Sequence, residues 1–154
     1  MTKLFLSLFF LSQFLEPLNA QTRLDIELVQ GESVIKPSFS NISKLLDIGY
    51  SDFVSAMKQN SYILTTDGTM YHCHTILFTY TIQKKTDAML WTFSDNNNNF
   101  ISRLKSEIKA KYPSIIPTYE SGVEIYRMKL KDGRRLKIGV QDDSDGAAVY
   151  VYPM

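Results

Sequence analysis

Apolar and polar residues alternate along several short segments of the chain, which is the pattern of strands that bury one face. The alternation predicts seven strands, at 21–29, 62–65, 70–82, 88–93, 122–130, 134–141 and 147–152, with a linker at 31–40. Apolar positions three and four residues apart predict two helices, one over 42–60 that is interrupted near Gly49 and one from Ile101 to Tyr112. Pro113 then ends the second helix.

Residues 1–20 have the pattern of a secretory signal peptide. Lys3 supplies a positive charge, residues 4–15 are almost entirely apolar, and Ala20 is a small residue at the exit. We expect cleavage between Ala20 and Gln21, which exports the mature chain to the periplasm or the cell exterior. The apolar run is too short for a bilayer, which needs about 20 residues, and we expect no transmembrane segment in the mature chain. The alternative is an amphipathic or buried N-terminal helix.

The mature chain keeps 134 residues (154 less 20), enough for one α+β domain over 21–154. We predict a mostly antiparallel sheet of about six to seven strands with two helices packed on one face. A helix followed by three strands occurs twice, so the possible halves are 41–94 and 95–154. When the Asp-Gly turns of the two halves are aligned, Leu64 falls opposite Lys129, so buried and exposed positions are out of phase. Whether the halves arose by duplication therefore stays open. In element order alone, this layout resembles small exported inhibitors built from tandem helix-plus-sheet units, such as the β-lactamase inhibitor protein family.

Composition limits the function only weakly. Cys73 is the sole cysteine, so the mature protein forms no internal disulfide and is stabilised by packing. The formal net charge is +1 and stays +1 after loss of Lys3 and Glu16, so it argues neither for nor against nucleic acid. The sequence contains no glycine-rich phosphate loop and no Gly-x-Ser-x-Gly turn, and we predict no cofactor.

The hairpin that turns at residues 131–133 concentrates positive charge. A three-residue loop puts Gly133 at the left-handed position and pairs Met128 with Leu136 on an apolar face. A two-residue loop mixes apolar and basic residues on one face, so we expect the longer loop. The opposite face then carries two cross-strand pairs, Arg127 with Lys137 and Lys129 with Arg135.

This basic face is the candidate binding site. Like charges directly opposite each other destabilise a sheet by roughly a few tenths of a kcal/mol per pair. Their clustering favours an anionic partner, either an acidic protein surface or a polyanionic glycan. We expect no nucleic acid, because the cluster lacks an aromatic ladder on which bases stack, apart from the neighbouring Tyr150 or Tyr152. The alternative is a solvated face whose long side chains extend into water.

The only two histidines flank the only cysteine, within the predicted strand 70–82. Alternation places His72 and His74 on one face, where both imidazoles can ligate one metal ion, and Cys73 on the other. Tyr80 shares the histidine face in that strand, so we expect the histidines at the wet end of the helix-facing core. The alternative is a pair of hydrogen-bonded, partly buried histidines. Cys73 is expected to be a half-buried thiol rather than a nucleophile.

Together these patterns favour a small exported, non-enzymatic module that binds another protein or acts as an accessory factor. The basic face and the lack of a recognisable catalytic motif support this interpretation. The alternative is a metal-assisted hydrolytic enzyme centred on His72 and His74. A small-molecule carrier that uses the tyrosine-rich sheet is a third possibility, which the sequence neither supports nor excludes. The sequence leaves the partner and the oligomeric state open.

Overall fold

The computed structural model describes residues 23–94, 99–143 and 146–154. The predicted signal peptide, residues 1–20, lies outside these ranges. The helices of the described chain are α1 (Phe39–Asp47), α2 (Tyr50–Gln59) and α3 (Asn99–Lys111). None of the helices in these ranges is both long and apolar enough to cross a membrane.

The described strands form a two-stranded hairpin and an eight-stranded sheet, and all neighbouring strands pair antiparallel. The hairpin consists of β1 (Ile26–Val29) and β2 (Glu32–Ile35). The large sheet contains β3 (Ile63–Leu64), β4 (Tyr71–His74), β5 (Thr79–Lys84), β6 (Met89–Phe93), β7 (Thr118–Glu120), β8 (Val123–Lys129), β9 (Arg135–Asp143) and β10 (Gly146–Pro153). Across this sheet the strand order is β3-β4-β5-β6-β10-β9-β8-β7.

Local sequence explains why α1 and α2 are separate helices. α1 begins after Ser38, whose Oγ accepts a hydrogen bond of 3.1 Å from the backbone N–H of Asn41. Gly49 has an extended backbone between the two helices and forms the N-cap of α2. The predicted interruption of the 42–60 helix near Gly49 is therefore confirmed.

Two buried polar side chains fix α1 to its surroundings. Asn41 is fully buried; its Oδ1 accepts from the backbone N–H of Asp25 at 2.8 Å, and its Nδ2 donates to the carbonyls of Asp25 and Lys36. The ammonium group of Lys84 in β5 donates a hydrogen bond to the carbonyl of Leu45, near the end of α1, where a cation is favourable. Burial lowers the pKa of this ammonium group. Neither contact follows from hydrophobic periodicity.

All three helices and the β1–β2 hairpin cover one face of the sheet and share one hydrophobic core. The largest fully buried side chains of the sheet are Trp91, Tyr80 and Tyr126. Phe53 of α2 and Leu104 of α3 belong to the same core. The prediction of an α+β fold, with a large antiparallel sheet and helices on one face, is confirmed.

The element count differs from the prediction at three places. The 70–82 segment is two strands, because residues 75–78 turn the chain and the N–H of Thr75 donates to the Phe78 carbonyl at 2.9 Å. The predicted linker at 31–40 contains β2, and β7 is an additional strand after α3. The confirmed interruption at Gly49 makes three helices of the predicted two, and the large sheet of the described chain has eight strands rather than six to seven.

The large sheet consists of two four-stranded meanders, β3 to β6 and β7 to β10. Their last strands, β6 and β10, pair at the centre, where Trp91 lies opposite Val149. The two Asp-Gly turns hold different positions in these meanders: the turn at 66–68 joins a first strand to a second, and that at 131–133 joins a second to a third. The two turns are therefore not equivalent connections. For this reason the buried positions of the two halves do not coincide when the turns are aligned.

Candidate binding face of the sheet

The face of the large sheet opposite the helices is not covered by any element that the structure describes, and we call it the open face. Alternation along each strand assigns its side chains. Ile125 and Ala148 on this face are buried although they lie outside the main core. An ideal Cβ on Gly139 of β9 would meet the side chains of Val123 and Tyr150 at 3.0 and 3.6 Å. The middle of the open face is therefore packed and partly apolar.

The register of the β8–β9 hairpin agrees with the three-residue loop. Met128 pairs with Leu136 on the core face, and the Leu130 N–H donates to the Arg134 carbonyl at 2.7 Å. Gly133 has φ +90°, the left-handed conformation that the loop requires. The structure contains both predicted cross-strand pairs, Arg127 with Lys137 and Lys129 with Arg135.

A carboxylate that the sequence prediction did not include divides this basic cluster. Glu120 of the edge strand β7 forms ion pairs with Arg127 and with Lys137, the latter at 3.3 Å. Arg127 also donates to the hydroxyl of Thr118. The hydrogen bonds from Arg127 and Lys137 lower the pKa of Glu120 below its usual value. One of the two like-charged pairs is thus compensated by an acid.

The other pair is not compensated in the same way. Lys129 and Arg135 are both exposed, and neither forms an ion pair with any residue in the described part of the chain. They lie at the end of the sheet where β8 turns into β9. We call these two residues the free basic pair. Its role as a binding site stays a prediction.

Tyrosines continue the open face from the basic residues towards its centre. Tyr152 lies opposite Lys137 across the β9–β10 ladder and is 43% exposed. Its ring stacks with that of Tyr150, with centroids 6.4 Å apart and planes at 10°. The Tyr150 hydroxyl donates to Oε1 of Gln141 at 3.0 Å. These contacts hold two aromatic rings beside the basic cluster.

The histidines also lie on the open face, which corrects the prediction that they line the helix-facing core. The turn at 75–78 reverses the chain, so that Tyr80 pairs with Cys73 rather than continuing the histidine face. The rings of His72 and His74 have centroids 4.5 Å apart. His74 Nδ1 is 2.9 Å from the hydroxyl oxygen of Thr79, its cross-strand partner.

Cys73 points into the core, opposite the histidines. It is 3% exposed, and its Sγ lies 3.9 Å from the carbonyl oxygen of Ser33 in β2. Burial raises the pKa of the Cys73 thiol, which disfavours the thiolate. This thiol is more deeply buried than predicted, and its environment is that of a packed side chain.

Among the described residues, no group of three or more histidine, cysteine, aspartate or glutamate side chains is placed to hold a metal ion. His72 and His74 are brought together, but no third protein ligand joins them within those ranges. The interpretation of the chain as a metal-assisted hydrolase stays a prediction.

Comparison with protein-family models, curated proteins and solved structures finds no significant match to this chain. The resemblance to tandem helix-plus-sheet inhibitors is therefore one of element order alone.

Proposed function

We propose that the protein is an exported, non-enzymatic module that binds an acidic surface of another protein through its open face. The observation that carries the proposal is the free basic pair, Lys129 and Arg135, on a sheet face that no described element covers. Two like charges held opposite each other destabilise the hairpin, and an acidic partner would relieve that repulsion.

The dimensions of the open face suit a protein partner. Eight strands spaced about 4.8 Å apart extend over about 34 Å, and strands of five or six residues are about 18 Å long. The resulting area of roughly 600 Å² approaches the 800 Å² or so that each partner contributes to a standard interface. The stacked rings of Tyr150 and Tyr152 beside charged residues also resemble the composition of such interfaces, in which aromatic side chains are enriched.

The distribution of charge favours a protein over a polyanionic glycan. A long polyanion needs a continuous track of basic groups, whereas the open face also carries Glu120 and the exposed Asp143. Asp143 lies towards the opposite end of the strands from the free basic pair. The Glu120 carboxylate is already bonded to Arg127 and Lys137, so a folded partner with a local acidic patch can meet the free basic pair.

The test is a gentle crosslink and capture of partners from the native exported fraction, with quantitative mass spectrometry at low and high salt. The test variant is Lys129→Glu with Arg135→Glu. The matched control, Lys58→Glu with Lys109→Glu, makes the same charge change at exposed helical positions on the covered side of the sheet.

We expect a stoichiometric partner that is captured by the wild type and the control, is lost from the test variant, and is released by salt. A partner held equally by all three proteins would remove the free basic pair from the proposal. Capture that is abolished by glycosidase treatment would assign the face to a glycan instead. Failure to capture any partner with the wild type would contradict the binding function itself.

A further inference from the structure

We propose that His72 and His74 form a surface site for a divalent transition-metal ion, with Cu²⁺ bound most tightly. The two rings lie side by side on the open face of β4, with centroids 4.5 Å apart. His74 is exposed and His72 is half-buried, so an ion can reach them from solvent. The inference does not depend on the proposed protein partner or on hydrolysis.

Thr79 orients one of the two ligands. His74 Nδ1 lies 2.9 Å from the Thr79 hydroxyl, and the tautomer in which Nδ1–H donates to that oxygen leaves the imidazole lone pair on Nε2. Histidines that ligate metals commonly donate their other ring N–H to an oxygen, which fixes the tautomer and the ring orientation. The cross-strand pairing of His74 with Thr79 provides that arrangement on a rigid sheet.

The donor set determines the class of ion. Two imidazoles without a carboxylate suit Cu²⁺, Ni²⁺ or Zn²⁺ and do not suit Ca²⁺ or Mg²⁺, which prefer oxygen. Affinity at such nitrogen sites is highest for Cu²⁺ among the divalent ions of the first transition row. Cys73 cannot contribute, because its side chain lies on the other face of β4. Water or another molecule would complete the coordination.

The composition of the chain makes the test sharp. The full sequence contains only two histidines, so in untagged protein every imidazole ligand must come from this pair. Cu²⁺ and Zn²⁺ are titrated separately by calorimetry, and pulsed electron paramagnetic resonance counts the imidazole nitrogens on Cu²⁺. The nitrogen count is made on the wild type and so requires no variant to fold.

The variants are His72→Gln, His74→Gln, the double variant that lacks both histidines, and Thr79→Val, with Thr81→Val as the matched control. Thr81 lies on the same face opposite His72, but its hydroxyl bonds to Thr92 rather than to a histidine. Losing either imidazole should weaken Cu²⁺ binding by about tenfold or more, since the second ligand then no longer acts at high effective concentration. Thr79→Val should weaken it by about tenfold, and Thr81→Val should leave it unchanged.

The expected result is one Cu²⁺ per chain with two imidazole nitrogens and a Zn²⁺ affinity below that for Cu²⁺. Binding that survives the loss of both histidines would overturn the proposal, as would a single coordinated imidazole. So would the absence of Cu²⁺ uptake when metal and protein are equimolar. Capture of a protein partner, which depends on Lys129 and Arg135, is measured separately, and either proposal can fail alone.

Discussion

The free basic pair gives a quantitative prediction, because a charge that serves binding should cost the fold some stability. Lys129 and Arg135 face each other across the β8–β9 ladder, and no acid in the described chain pairs with either. Reversing one charge converts a repulsive pair into an attractive one. We therefore expect Lys129→Glu and Arg135→Glu each to stabilise the protein, although both weaken partner binding.

Coulomb's law sets the size of the effect. Directly opposite side chains start about 5 Å apart at Cβ, and extended charged ends lie at about 7 Å. In surroundings like water, two unit charges at that distance repel by about 0.6 kcal/mol, which 0.1 M salt reduces to about 0.3 kcal/mol. Each single reversal should then raise the free energy of unfolding by about 0.6 kcal/mol. The double reversal restores a like-charged pair, so the coupling energy of the cycle is about 1.2 kcal/mol.

Urea unfolding of the four proteins in the cycle measures this coupling. With a slope near 2 kcal/mol per M, each single reversal should shift the midpoint upward by about 0.3 M. The shift should shrink at high salt. Additive effects in the cycle, or destabilisation by both single variants, would refute the repulsion argument.

The neighbouring pair supplies the control. Arg127 and Lys137 occupy equivalent cross-strand positions but share Glu120. Lys137→Glu should change stability little, since it loses attraction to Glu120 as it gains attraction to Arg127. Reversing both charges should destabilise the protein, because three carboxylates would then meet. If charge reversal changed the free energy of unfolding equally at the two basic pairs, Glu120 would not be the residue that distinguishes them.

Two further predictions concern the covered side of the sheet. Asn41→Ala should lower the free energy of unfolding by about 3 kcal/mol in urea titrations, because it leaves buried backbone groups of Asp25 without partners. Glu124 tests how stability falls in acid: burial raises its pKa, but hydrogen bonds from Lys105 and Tyr126, together with the charges of Lys105 and Lys109, outweigh burial and bring the pKa below 4.5. Its contribution is then present above about pH 4.5 and is lost as pH falls through the lowered value, so Glu124→Gln should flatten stability against pH in that window.

The parts of the fold that were predictable are those in which periodicity and turn chemistry agree. The β8–β9 hairpin is an example: only one loop length keeps Met128 and Leu136 on the same face, and Gly133 fits its left-handed position. The register, and with it the placement of all four basic residues, followed from the sequence. The interruption between α1 and α2 was similarly marked by Gly49.

The rest depends on contacts that local patterns do not encode. The 75–78 turn contains no glycine or proline, so an unbroken run of apolar and polar residues concealed a reversal of the chain. That hidden turn moved Tyr80 away from the histidine face and put His72 and His74 on the open face. Glu120 was missed because β7 has only three residues and pairs at the edge of the sheet. A short edge strand has too few positions for alternation to be recognised.

The two meanders have equivalent strand ladders but different side chains on the open face. Trp91 and Val149 pair where the two meanders meet. Counted outward from this pair along the strand registers, the His74–Thr79 pair of the first meander occupies the position of the Arg127–Lys137 pair in the second. Their core faces are both apolar, because both must pack beneath helices. Their open faces differ, with imidazole and hydroxyl groups in one meander and basic groups in the other. Packing constrains every second residue of each strand and leaves the residues between them free to acquire separate chemistry. On this sheet, imidazole groups at one corner and basic groups at the diagonally opposite corner can therefore arise on the same face without any change in the core.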